Sequence, residues 1–255
     1  MSKVTHAWVE PNIDARIGAH VHAWEEVKAF GRQRPLEKFP FITISREFGC
    51  EALPLAQHLV HILNERSRPV YPWVAYDREV IDRVAEEMHL SQAIVESIDG
   101  HRRDAMCELF DSILNRKIDE SLVIRKICEV VRSLATHGHA VLVGRGSYLV
   151  TQDMKTGLHV RLVAPRPWRI HRVADIQQLG YRDAEKVVDQ LEKERERFVQ
   201  MFFVQDPHLV HYHDVVIDNS RFNLTQISNI ICTALTSRFG ETLGMEEGRV
   251  SPGKN

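Results

Sequence analysis

Five short runs of apolar and β-branched residues punctuate the chain: Phe41–Ile44, Trp73–Tyr76, Ala140–Val143, Leu158–Val163 and Val215–Ile217. Each has strand length, and each is separated from the next by segments with helical patterning, as in Leu55, Leu59, Ile62 and Leu63. Strands that alternate with helices predict an α/β domain with a mostly parallel sheet covered on both faces. Between the second and third runs, residues 77–139 are charged and helical in pattern. That is longer than a crossover requires, so a helical insertion over the sheet edge is expected. Residues 165–205 form a second charged helical stretch. Residues 1–38 are polar and mixed, with Pro35 and Pro40 marking the approach to the first strand, and are expected to be an extension with one helix near 14–30. Residues 244–255 are expected to be a disordered tail.

Composition narrows the function classes. Apolar residues make up 44% and charged residues 27% of 255, which excludes collagen-like and wholly disordered readings. A net charge of -2 leaves no global basic field for nucleic acid, so any anion site has to be local. No apolar run approaches the roughly 20 residues that span a bilayer, and residues 1–20 lack a signal-peptide pattern. Cys50, Cys107, Cys128 and Cys232 are widely spaced without a C-x-x-C pair, which suits buried thiols in a reducing, cytoplasmic setting. His208, His211 and His213 cluster, but no carboxylate or second histidine pair stands beside them at ligand spacing, so no metal site is assigned.

The first strand runs into Ser45-Arg46-Glu47-Phe48-Gly49-Cys50 and then a helix, the place where α/β proteins hold phosphate on backbone amides. A working phosphate loop reads G-x-x-x-x-G-K-[ST], with lysine for the β and γ phosphates and a hydroxyl for magnesium. Here only Gly49 survives of that pattern.

The string Ile42-Thr43-Ile44-Ser45-Arg46-Glu47-Phe48-Gly49 is followed in order by four further blocks. These are Tyr76-Asp77-Arg78-Glu79-Val80-Ile81, Val143-Gly144-Arg145-Gly146, His159-Val160-Arg161-Leu162-Val163-Ala164-Pro165 and Asp214-Val215-Val216-Ile217-Asp218. As an ensemble, over residues 41 to about 240, they resemble the cytidylate-kinase-like family of P-loop proteins. The resemblance implies a three-layer α/β/α P-loop fold over residues 39–243. It implies a five-stranded parallel sheet, a monophosphate-binding insertion at 77–139 and an arginine-bearing lid within 165–205. The implied activity is phosphoryl transfer from ATP, with magnesium, to CMP or dCMP. On the nucleotide-binding side it points to Ser45, Arg46, Gly49, Cys50, Asp77, Arg83, Gly144 and Gly146. Arg145, Arg169, Arg172 and Arg197 are expected to be the electrostatic clamps of catalysis. Arg195 reads instead as one more charge on a solvated helix.

The departures weigh against ordinary kinase chemistry. Relatives continue S-R-E-F-G with S-G-G-R, whereas this chain has Cys50-Glu51-Ala52-Leu53. Ala52 falls on the loop lysine and Leu53 on the arginine that relatives carry. Glu51 brings a carboxylate to within reach of phosphate oxygens, a repulsion of about 1 to 4 kcal/mol depending on local dielectric. Arg46 either restores positive charge to the loop or pairs with a neighbouring carboxylate. Asp218 reads as the cap of a turn rather than a magnesium ligand. Two readings therefore stand side by side: a cytidylate kinase, and a catalytically impaired nucleotide-binding regulatory or scaffold protein.

Overall fold

The computed structural model describes residues 39–67, 69, 72–86, 121–202 and 210–243. The extension at 1–38, the middle of the insertion, Cys107, His208 and the tail at 244–255 lie outside the described residues. Five strands form one sheet: β1 (Phe41–Arg46), β2 (Val74–Tyr76), β3 (Ala140–Val143), β4 (Gly157–Val163) and β5 (Val215–Asp218). Their order is β2-β3-β1-β4-β5, and every pairing is parallel. Each of the five apolar runs is a strand, Ala140–Val143 with unchanged ends and the others with one end moved by one or two residues.

Alternation along the central strands explains how both faces are covered. On β1, Phe41 faces one core, which it shares with Leu142, Val131 and Leu134; Ile42 and Ile44 face the other, with Val141, Val143, Leu158 and Val160. The first core is closed by α2 (Arg78–Glu86), α3 (Ser121–His137) and α4 (Ser147–Val150), the second by α1 (Ala52–Ser67) and α7 (Leu224–Leu243). Helix α1 buries Ala52, Leu55, Ala56, Leu59 and Leu63, a stripe at helical spacing. Helix α7 starts on a reciprocal cap: the Gln226 N–H donates to Asn223 Oδ1 and the Asn223 N–H to Gln226 Oε1, both at 2.9 Å. The result is the three-layer α/β/α architecture.

The charged stretch after β4 folds as a hairpin of α5 (Arg166–Gln177) and α6 (Tyr181–Phe202). Pro167 suits the first turn of α5, and Gln178 ends it in the left-handed conformation at φ 54°. Ile170, Val173, Ala184 and Val188 give the hairpin a small core of its own, and Phe48 of the β1–α1 loop packs against it. That contact brings the hairpin onto the carboxyl end of the sheet. There β1 sits between β3 and β4, and the chain leaves β1 toward one edge while the β3-to-β4 connection crosses to the other side. Open parallel sheets bind ligands at such a switch point.

Ile44 is wholly buried between Val143 and Val160, its register partners. Ile44→Ala should lower unfolding free energy by about 2 to 5 kcal/mol in urea titration without changing the slope. Burial pushes the His137 imidazolium down to about 4 from 6.5. The unfolded chain therefore takes up a proton over that window that the native state refuses, so stability present above about pH 6.5 declines toward about pH 4. Urea midpoints measured at about pH 7 and about pH 4.5 should separate more for the wild type than for His137→Leu.

Candidate functional site

The β1–α1 loop makes its own hydrogen bonds. The Glu47 N–H donates to Leu162 O (3.0 Å), Cys50 N–H to Glu47 O (3.2 Å) and Ala52 N–H to Cys50 O (3.1 Å). Two further amides are met by side chains from distant segments: Phe48 N–H donates to Glu192 Oε2 at 2.6 Å, and Glu51 N–H to Asn219 Oδ1 at 3.1 Å. A phosphate loop needs such amides free to point at phosphate oxygens. In this chain the acceptors are the protein's own.

The cations expected to act on phosphate are engaged in the same closure. Arg169, at the start of α5, is buried, and it donates to Ala164 O (3.1 Å), Phe48 O (3.0 Å) and Glu192 Oε2 (3.1 Å). Its Nε also lies 3.4 Å from Glu47, whose carboxylate accepts the Ala164 N–H at 2.9 Å. Arg172 pairs with Glu51 at 2.5 Å. Gly49 makes the approach possible: at φ +96°, a Cβ there would stand 2.9 Å from Arg169 Cβ and 3.0 Å from its carbonyl oxygen. Burial pushes the Cys50 thiol up to about 12, with Glu47 adding to the effect, so it is not a nucleophile near neutrality.

The loop divides two clefts. Ser45, Arg46 and Phe48 face the first, of about 320 Å³, which continues over Gly144, Arg145 and Gly146 to the inner side of α6. Glu51 faces the second, of about 610 Å³, with Trp168, His171, Arg172, Asn219 and Phe222 on its walls. In the first cleft, Gly144, Arg145 and Gly146 hold φ values of 81°, 54° and 64°. This left-handed turn carries Arg145 to an ion pair with Asp82 of α2 and over the Phe198 ring, 5.2 Å to its centroid. A Cβ at Gly144 would overlap the Arg46 guanidinium, so the glycine gives that side chain its room. Ser45 Oγ lies 2.7 Å from His213 Nε2, and His213 packs on Tyr148.

The residues singled out in the sequence thus separate into groups. Ser45, Arg46, Gly144, Arg145 and Gly146 share the first cleft; Arg172 lines the second; Arg169 ties the loop between them. Asp77 is buried and caps α2, accepting the Val80 N–H at 3.0 Å. Gly49, Cys50, Asp77, Arg83 and Arg197 line neither cleft, and Arg83 and Arg197 are exposed. Asp218 closes a turn on the N–H and hydroxyl of Ser220, as its position at a strand end predicts.

Three cleft arginines escaped the sequence reading: Arg78, Arg161 and, above all, Arg195. Arg195 points inward, over the Phe48 ring at 5.0 Å, and donates to Arg46 O at 3.3 Å. Helical spacing carried the signal, because Leu191, Arg195, Phe198 and Val199 fall on one stripe while Arg197 falls opposite. Glu192, next to Leu191 on that side, was equally invisible as the partner of a loop amide. Among the described residues no three histidine, cysteine or acidic side chains converge as a metal site, and no helix is long and apolar enough to cross a membrane.

A parallel α/β sheet with a strand–loop–helix at its switch point, an arginine-lined cleft and an overlying helical hairpin makes a three-layer α/β/α protein of the class that binds ligands at the carboxyl end of its sheet. The model of the cytidylate kinase-like family matches residues 41–221, well over half the chain, and the chain belongs to that family. Among solved structures, an uncharacterized protein from Eubacterium ventriosum ATCC 27560 is similar in fold. Its TM-score is 0.61 at 17% identity, with 79% of this chain and 100% of that one covered. Shikimate kinase from Bacteroides thetaiotaomicron aligns over 81% of this chain and 99% of its own at 15% identity. Its TM-score is 0.39. No curated protein matches the chain.

Glu192→Ala would leave the Phe48 amide without its acceptor and Arg169 with Glu47 as its remaining carboxylate. Urea unfolding should show a loss of about 1 to 3 kcal/mol, with Glu192→Gln losing less because its amide oxygen still accepts. Equal stability of Glu192→Ala and wild type would mean that the contact does not hold the hairpin down.

Proposed function

We propose that this chain binds a nucleoside monophosphate, CMP or dCMP, in the arginine-lined cleft and has a donor loop closed by its own side chains. Phosphoryl transfer from ATP then runs far below the roughly 1 to 100 per second of ordinary kinases. The observation that carries this reading is the state of the β1–α1 loop. Glu192 and Asn219 accept two of its amides, Glu51 neutralises Arg172, and Ala52 stands at the lysine position.

Transfer of a phosphoryl group needs cations in place before the reaction, and losing one such group commonly costs about a hundredfold to a thousandfold in rate. Magnesium with ATP does not fit the described donor residues. Ala52 and Leu53 provide neither ammonium nor hydroxyl, and the nearby carboxylates of Glu51 and Asp218 are held by Arg172 and by Ser220 with Arg221. The acceptor side keeps what recognition of a monophosphate requires: several guanidinium groups, a glycine-flanked turn that lets a ligand approach the backbone, and aromatic walls from Phe48, Tyr148 and Phe198. Family membership supports nucleotide recognition, and function follows from sites rather than folds.

Calorimetric titration with CMP, dCMP, UMP and magnesium-ATP should give the tightest binding for a pyrimidine monophosphate and the weakest for ATP. Tight ATP binding together with ordinary CMP phosphorylation would overturn the reading. Replacing Glu51 and Glu192 together by glutamine frees Arg172 and lightens the negative charge at the loop. ATP affinity should rise about tenfold as a result.

A further inference from the structure

We infer that Ser45 is a nucleophile and a site of covalent phosphorylation: His213 takes the proton of its hydroxyl, and a small acyl phosphate entering the first cleft supplies the phosphoryl group. The inference goes beyond the preceding reading and needs no nucleotide.

Ser45 lies near the carboxyl end of β1, on the strand face it shares with Phe41 and Thr43, because alternate residues of a strand point the same way. Thr43 makes a similar pair one step back, with its Oγ1 at 2.9 Å from His159 Nδ1. Thr43 is wholly buried and lines neither cleft, so that pair joins strands and meets no reagent. Two residues further on, the same face opens into the first cleft, and Ser45 lines it. Its Oγ is 2.7 Å from His213 Nε2, while a second acceptor, Val160 O, stands at 3.4 Å. The hydroxyl proton therefore goes to the imidazole.

His213 is held from two sides. Its ring packs on Tyr148, with 4.5 Å between centroids. The next residue, Asp214, donates its N–H to His159 O and accepts the His159 N–H, both at 2.7 Å, and its carboxylate pairs with Arg238 at 2.9 Å. A base fixed against a serine hydroxyl is the arrangement that activates the oxygen for attack.

The cleft decides what the oxygen attacks. Arg46, Arg145, Arg161 and Arg195 share its walls with Ser45, so it favours a charged phosphoryl compound over a neutral ester. Its volume of about 320 Å³ suits a small donor. A magnesium-bound triphosphate would need the β1–α1 loop, whose amides Glu192 and Asn219 occupy. An alkyl phosphate would need an acid to protonate its departing alkoxide, whereas the carboxylate of an acyl phosphate leaves without a proton. In the step, Ser45 Oγ bonds to phosphorus as the bond from phosphorus to the acyl oxygen breaks. The carboxylate departs with that electron pair, and the hydroxyl proton passes to His213 Nε2 and on to water. The phosphoserine formed carries about two negative charges, which the surrounding guanidinium groups match.

The test is incubation of the full chain with acetyl phosphate without added metal and, separately, with magnesium-ATP. Fragmentation mass spectrometry of the peptide that carries both Thr43 and Ser45 then reads which hydroxyl is phosphorylated and how fast. Acetyl phosphate should label Ser45 and leave Thr43 unmodified, and magnesium-ATP should label Ser45 at least about tenfold more slowly. His213→Gln keeps an acceptor for the Ser45 hydroxyl but no base, and should slow labelling by about a hundredfold or more. Unfolding the wild type in urea should abolish the preference for Ser45 over the other serines of the chain, a measurement that needs no variant to fold. Ser45 left unlabelled in the folded wild type, labelling of His213→Gln at the wild-type rate, or a preference that survives in urea would each refute the nucleophile. Labelling by magnesium-ATP as fast as by acetyl phosphate would overturn the assignment of an acyl phosphate donor.

Discussion

The carboxylate of Glu192, held between the Phe48 amide and the Arg169 guanidinium, is the contact on which the arrangement of the site depends. It joins α6, α5 and the β1–α1 loop at one point. A charged acceptor on a backbone amide is among the stronger hydrogen bonds available to a protein, and here it also answers a buried arginine. Once it forms, the hairpin cannot leave the sheet end without stranding an amide and a cation. The loop then has no amide at Phe48 for a phosphate, Arg169 has no free donor fork, and Arg195, one turn further along α6, is delivered into the first cleft. One interaction thus closes the β1–α1 loop and turns an arginine into the first cleft.

The fold was legible in the sequence because strands of a covered parallel sheet are short runs dominated by apolar and β-branched residues, and all five runs in this chain are of that kind even where His159 and Arg161 interrupt the fourth. The charged stretch at 165–205 was also legible as helix, since Pro167 and the apolar spacing of Ile170, Val173, Ala184 and Val188 mark it. Asp218 could be read as a turn cap because such caps act over two or three residues.

The site was much less legible, for a physical reason. Its decisive contacts join residues far apart in the chain, as Phe48 with Glu192, Glu51 with Asn219 and Arg172, and Arg145 with Asp82 do. A sequence shows that Glu51 is acidic, but not that its charge is spent on Arg172. It shows Lys193-Glu194-Arg195-Glu196-Arg197 as a charged run, and only the helix stripe through Leu191 and Phe198 tells which arginine turns inward. Arg46 illustrates the limit in the other direction. The two readings available for it were the donor loop or a carboxylate partner, and the structure places it instead against Gly144, without such a partner among the described residues.

Amide hydrogen exchange at Phe48 and Glu51, followed by NMR with and without magnesium-ATP, tests the closed loop most directly, because exchange reports whether each N–H already has an acceptor. The account predicts that both amides are protected in the ligand-free protein and that added ATP leaves their protection unchanged. Fast exchange without ligand, slowed strongly by ATP, would show a loop open to phosphate and would contradict it.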